Sequence, residues 1–186
     1  MNFYILVFTL LFGVNTTNAQ TKLFTKTGTI SFKSKTALEN IEALNNKVLS
    51  VWDVTSGNIE FSLLVKGFEF DRALMQEHFN ENYMESDKYP KAVFKGVVEN
   101  SKNIILTSNN NYTIKVNGSL TMHGVTKQIT VPVIIKVKNG EASATANFSV
   151  VPQDYNIKIP GLVADKINKK IDISINIPAY KILATK

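Results

Sequence analysis

The sequence predicts an all-β protein, an antiparallel meander of about eight to nine strands interrupted by one short helix. Three observations lead there. Apolar and polar residues alternate with the period of two that marks a strand with one wet face, in segment after segment at hairpin spacing. No strand–helix–strand alternation of the kind that builds a parallel sheet occurs. Only one stretch, 72–83, carries a convincing helical stripe. An eight-stranded sheet can close on itself, which removes exposed edges and leaves room inside for side chains or one small ligand. Alternation alone leaves barrel and sandwich both open.

The segment 111–138 organises the chain. Ile114, Val116, Gly118, Leu120 and Met122 occupy every second position, and Ile129, Val131, Val133, Ile135 and Val137 repeat the pattern. A reversal at His123-Gly124 sets Val116 opposite Val131 and Ile114 opposite Val133, so both apolar rows share one face. Gly accepts positive φ freely and His is enriched among the other residues that do, which suits this pair to a tight turn.

In chain order, 22–34 alternates Phe24, Gly28, Ile30 and Phe32 against Thr and Lys residues and reads as the first strand. In 36–46, Thr36 precedes Glu39 as in a capping box and Leu38, Ile41 and Leu44 fall on one side, which predicts a short helical turn. Strands follow at 47–54 and 59–66, joined by a polar turn containing Gly57. Asp71 is placed to cap the helix 72–83, whose stripe holds Leu74, Met75, His78, Phe79 and Tyr83. Tyr89-Pro90 ends that segment. Strands are expected at 91–98, with Phe94 and Gly96 in phase, and at 103–107. After the central hairpin, Asn139-Gly140 is the strongest short turn signal. Ala142, Ala144, Ala146, Phe148 and Val150 then share one strand face, where three alanines leave space. An irregular loop over 151–170 leads to the last strand, with Ile171, Ile173, Ile175 and Ile177 in phase.

The 186 residues include no Cys, which excludes disulfides and thiolate metal sites, and carry a formal charge of +6. The Lys residues are spread along strands. That matches a solvated face, or transient attraction to an anionic membrane surface, and no basic-aromatic module accompanies them, which argues against nucleic acid. Residues 1–19 resemble a secretory signal peptide: a 12-residue apolar run from Phe3 to Val14, then Thr17 and Ala19 at minus three and minus one of a cut after Ala19. The run is shorter than the roughly 20 residues of a membrane span. The expected organisation is a leader over 1–19 and one domain over 20–186, exported to the periplasm or secreted.

Two stretches resemble the YceI-like family. GSLTMHGVTKQITVPV, 118–133, is similar to the family's G-x-L-T-x-H/R-G-V-T-K segment and its β-branched strand. FEFDRALMQEHFNENYMESDKYPKAVFKG, 68–96, is similar to its helical HL or HF step, acidic stretch, aromatic-Pro pair and A-x-F strand. The resemblance runs from about Leu23 to the C-terminus. It implies a lipocalin-like eight-stranded antiparallel barrel with a helix near its mouth, export, and, in some members, a polyisoprenoid or similar long apolar molecule held inside. On the matching positions it implies that Phe94, Leu120 and Met122 face the interior. The sequence departs from the family pattern before the helix, where Gly67-Phe68-Glu69-Phe70 and an inverted Asp71-Arg72 stand.

The interior positions expected from strand phase and resemblance together are Phe32, Phe61, Leu63, Phe94, Val116, Leu120, Met122, Ala144, Phe148, Ile173 and Ile175. Leu74, His78, Phe79 and Lys127 are expected at the mouth, Lys127 because the hairpin register sets it opposite Leu120 near the turn. The small inward residues Gly96, Gly118 and the alanines either let large neighbours fill the barrel or leave a cavity. His78 and His123 are the two histidines, and no HExxH spacing, G-x-S-x-G elbow or phosphate-cradling Gly cluster occurs. No cofactor or metal is expected beyond a bound polyisoprenoid or other long-chain lipid. The reading favoured is a non-enzymatic carrier of an apolar small molecule or lipid. A filled barrel acting through its exterior, and an enzyme using His78 or His123, are the alternatives.

Overall fold

The computed structural model describes residues 21–183. The expected leader over 1–19 lies outside the described residues.

Ten strands and one α-helix follow in order: β1 (Lys22–Lys35), β2 (Asn40–Asp53), β3 (Asn58–Leu64), β4 (Glu69–Phe70), α1 (Ala73–His78), β5 (Lys91–Val98), β6 (Asn110–Met122), β7 (Val125–Lys138), β8 (Glu141–Val150), β9 (Ile171–Ile177) and β10 (Lys181–Ile182). All pairings are antiparallel, in the order β10-β1-β9-β8-β7-β6-β5-β3-β2-β4, and β1 also pairs with β2. That last pairing closes a barrel of eight long strands, with β4 and β10 as short additions at its ends. The barrel alternative is the one the chain adopts.

The central hairpin has the register its alternation dictates: Val116 pairs with Val131, Ile114 with Val133 and Leu120 with Lys127. His123 (φ 50°) and Gly124 (φ 74°) both take positive φ, the requirement of the two-residue turn whose twist matches its strands. Asn139 and Gly140 repeat this at φ 53° and 82°.

Four expectations are corrected. Residues 36–46 are not helical: Thr36 Oγ1 accepts the Leu38 and Glu39 N–H groups in a tight turn, and β2 begins at Asn40. There the inward row is Ile41, Ala43 and Asn45, and the Leu44 that suggested a helical face points out, 40% exposed. Eleven residue pairs hold β2 to β1 across this turn, and the hairpin ladder outweighs a weak helical stripe. Residues 103–107 are not a strand. A 3-10 turn at Ser101–Asn103 tucks Ile104 into the core, fixed by Ser101 Oγ, which accepts the Trp52 indole N–H and donates to the Val54 carbonyl. Register shifts on either side of Gly28 change the phase of β1, so Leu23 rather than Phe24 is buried. Finally, α1 starts at Ala73, no side chain caps it, and after His78 it widens into a π-helical turn, Phe79–Tyr83.

One end of the barrel is closed. Trp52 is fully buried there, beside Tyr180, with ring centroids 6.0 Å apart and edge to face. The Tyr180 hydroxyl shares a 3.0 Å hydrogen bond with Ser50 Oγ, and burial pushes its phenol up to about 12, against the smaller opposite pull of that bond. The unfolded chain ionises this group near 10.0, so its proton is lost first from the unfolded state. The stability tied to the buried neutral phenol is therefore complete below pH 10.0 and is lost as pH rises to about 12. The shift corresponds to roughly 3 kcal/mol. Urea titrations on either side of this window should show that loss, and Tyr180→Phe should remove its share of it.

Candidate ligand-binding chamber

The open end lies opposite, formed by the β1–β2 turn, the His123-Gly124 turn, the segment carrying α1, and the loop between β8 and β9. Between it and the Trp52 plug the barrel encloses two apolar chambers. The inner one, about 100 Å³, is bounded by Trp52, Phe61, Phe94, Val116, Ala144 and Ile175 among others. The outer one, about 310 Å³, lies under α1. Ile30, Leu63, Ala92, Leu120 and Phe148 line both and form the partition between them. The interior is not the solid core that a filled barrel requires.

Residue size explains the space. The β8 row Ala144 and Ala146 faces Ile135 and Val133 on one side and Ile177 and Ile175 on the other, so one wall is thin. Gly96 and Gly118 pair directly across β5 and β6. A Cβ on either would stand 2.7 Å from the Phe94 ring, so that ring lies back over the bare backbone of the pair. Two glycines thus accommodate an aromatic ring along the wall.

The outer chamber is roofed by aromatic rings. Phe32 packs against Phe68, Phe70 and Phe79 with centroids 5.2, 5.7 and 5.3 Å apart. Phe79 comes from the π-helical turn and Phe70 from β4, so the segment carrying α1 is fastened to the barrel by its own phenyl groups. Met75, Met84 and Met122 line this chamber, and unbranched thioethers adapt to irregular shapes. Burial raises the phenol of Tyr83, which lines it as well. Its other polar lining residues among those described are Ser34, Glu39, His78 and Lys166.

The structure places every expected interior residue on these walls. Phe61, Phe94, Val116, Ala144 and Ile175 line the inner chamber, Phe32, Met122 and Ile173 the outer one, and Leu63, Leu120 and Phe148 the partition. His78 and Phe79 are at the mouth. Leu74 and Lys127 are not. Leu74 is 61% exposed, because the helix presents Met75 and Phe79 inward and leaves the Leu74 side to solvent. Lys127 does pair with Leu120 but is exposed and touches neither chamber. The β7–β8 ladder stops at the Val133–Ala146 pair, beside Pro132, and the turn Pro152–Tyr155 covers β7 beyond it.

Strand phase did not reveal the contribution of the β8–β9 loop. Ile157, Ile159, Val163, Lys166 and Ile167 all line the outer chamber, and the alternation of Ile157 and Ile159 was the available signal. His123 is 8% exposed and belongs to a structural joint. Its Nδ1 lies 2.9 Å from the Tyr155 carbonyl, to which it donates, and its Nε2 lies 2.7 Å from Glu85 Oε2. Both ring nitrogens are thereby engaged, tying the hairpin tip to the helix segment and to the β8–β9 loop. Among the described residues no group of three His, Cys, Asp or Glu is gathered that could hold a metal ion.

The family model for the YceI-like domain matches residues 8–179. The chain belongs to the YceI-like family. Among solved structures, this YceI-like chain is similar to a polyisoprenoid-binding domain from Saccharophagus degradans implicated in plant cell wall breakdown. The TM-score is 0.77 at 12% identity, over 88% of this chain and 99% of that one. BcnA from Burkholderia cenocepacia is similar with a TM-score of 0.67 at 15% identity, over 83% and 96% of the two chains. The Campylobacter jejuni YceI protein gives 0.54 at 15% identity over 100% of both. At these identities the likeness is one of fold. Comparison with curated proteins gives no match.

Proposed function

We propose that this YceI-like protein is an exported, non-catalytic carrier that holds one long apolar chain, an isoprenoid or another long-chain lipid, threaded from the mouth toward Trp52. The observation that carries the reading is two apolar chambers in series, divided only by side chains. A flexible chain suits such a space, because each buried CH₂ contributes about 0.8 kcal/mol without any directional contact. The thioethers let the outer chamber adapt to the chain's shape, and rotation of the Leu120 side chain opens the partition. The polyisoprenoid-binding description of the Saccharophagus domain supports the same ligand class. Export to the periplasm or the exterior rests on the leader-like residues 1–19, and the excess positive charge favours brief contact with an anionic membrane during loading.

The test is native mass spectrometry of gently purified protein, followed by organic extraction. One long-chain lipid per protein is expected, recovered in the extract. Protein that carries no extractable lipid and takes up no added prenyl quinone would refute the carrier role.

A further inference from the structure

The polar residues of the outer chamber are unevenly matched. Among the described residues Glu39 is the one carboxylate in the lining, and Arg72 Nη2 already holds it at 2.6 Å. Lys166 and His78 make no ion pair or side-chain hydrogen bond among the described residues. Ser34 is 2% exposed, and its Oγ accepts the Asn168 N–H at 2.8 Å. A hydroxyl that accepts this bond retains its own hydrogen, and no acceptor among the described residues takes it. The chamber therefore offers an ammonium group, an imidazole and a buried hydroxyl hydrogen, with the Glu39 carboxylate already paired to Arg72. A neutral hydrocarbon would use none of them.

We propose that the rim formed by Ser34, His78 and Lys166 is a headgroup site, and that the ligand is a long-chain amphiphile ending in an anionic acceptor, a carboxylate or a phosphate. The inference rests on the carrier reading and specifies the polar end of its ligand. The geometry gives the order of loading. The tail enters first, past Leu120, and the head stays at the mouth where Lys166 keeps its charge in contact with water. Ser34 supplies the inner contact, from the end of β1, and Asn168 holds both Ser34 Oγ and the Lys35 carbonyl so that the loop carrying Lys166 sits over that strand end.

The experiment compares matched pairs on delipidated protein: hexadecanoic acid against its methyl ester, and geranylgeranyl phosphate against geranylgeraniol. Within at least one pair the anion is expected to bind about tenfold more tightly, the scale of a charge-assisted contact at a partly wet rim. Which pair shows it identifies the source of the anion. Lys166→Glu should invert that preference, and the exposed double change Lys166→Gln with His78→Gln should erase it. Both are surface substitutions, so folding is checked by far-ultraviolet circular dichroism alone. Neutral partners that bind as well as the anions, or a preference that survives both variants, would overturn the headgroup site and leave the carrier reading standing. Failure of all four probes by protein that still takes up a prenyl quinone would overturn the headgroup site alone, and failure with the quinone as well would overturn both.

Discussion

Leu120→Trp should abolish uptake of long apolar chains while leaving the barrel folded. Leu120 belongs to both chambers and stands in the partition with Phe148, Leu63, Ile30 and Ala92. An indole there has open volume on two sides to enter, so the substitution fills space rather than forcing backbone apart. A ligand confined to the outer chamber forfeits the burial of the inner one. Losing four methylenes at about 0.8 kcal/mol each removes about 3 kcal/mol, roughly two orders of magnitude in affinity. Native mass spectrometry after incubation with a prenyl quinone reads the result directly. Uptake equal to that of the unaltered protein would show that the chain does not pass Leu120.

The largest stability effect is expected at Gly118. A Cβ there would collide with the Lys95 carbonyl oxygen, and would stand 2.6 Å from the Gly96 Cα and 2.7 Å from the Phe94 ring. Two of these are backbone atoms of the paired strand β5, which cannot move without breaking the Gly96–Gly118 ladder. Ordinary overpacking costs about 1–3 kcal/mol by displacing side chains. Gly118→Ala should therefore cost about 3 kcal/mol or more, measured by urea denaturation. Phe94→Ala should cost less in the Gly118→Ala background than in the parent, because there the ring competes with the new methyl group for the same space. An alanine variant as stable as the parent would mean that the wall is looser than its geometry indicates.

Both predictions concern features that the sequence makes legible to different degrees. The hairpin β6–β7 could be read to the residue, because two uninterrupted apolar rows and a His-Gly pair allow a single register. The last strand β9 and the alanine face of β8 followed from the same alternation. The second half of strand β2 was legible at 47–54, but its first half, 40–46, was not, because its inward row includes the fully buried Asn45, whose Nδ2 donates to the Leu64 carbonyl, while Leu44 faces solvent. Pairing with β1 across the turn and with β4 on the other side imposes that phase, and neither partner's register shows in the local pattern of 40–46. The same holds for the bulge at Gly28, which turns Phe24 outward.

The candidate site divides along the same line. Positions on long regular strands, such as Phe61, Val116 and Ile175, could be assigned from phase. The mouth was legible only in His78 and Phe79 on the helical stripe, because the rest of it is built where periodicity ends. Leu74 and Lys127 fall outside it, whereas Ser34 enters it from the end of β1 and Lys166 from the β8–β9 loop, the two joined by the bond from Asn168. Whether the barrel was hollow also escaped the pattern. It depends on the Phe94 ring lying over two paired glycines, a fact of three dimensions rather than of spacing.

The central claim is that a hydrocarbon chain runs the length of the barrel with its tail in the inner chamber. Trp52 is the single tryptophan and lines that chamber, so its fluorescence reports what arrives there. Delipidated protein should be titrated with two versions of one long-chain lipid, brominated near the tail or near the head. Saturable quenching of Trp52 by the tail-brominated lipid, at one lipid per chain and well beyond that of its head-brominated twin, is the predicted result. Equal quenching by the two, or none, would contradict it.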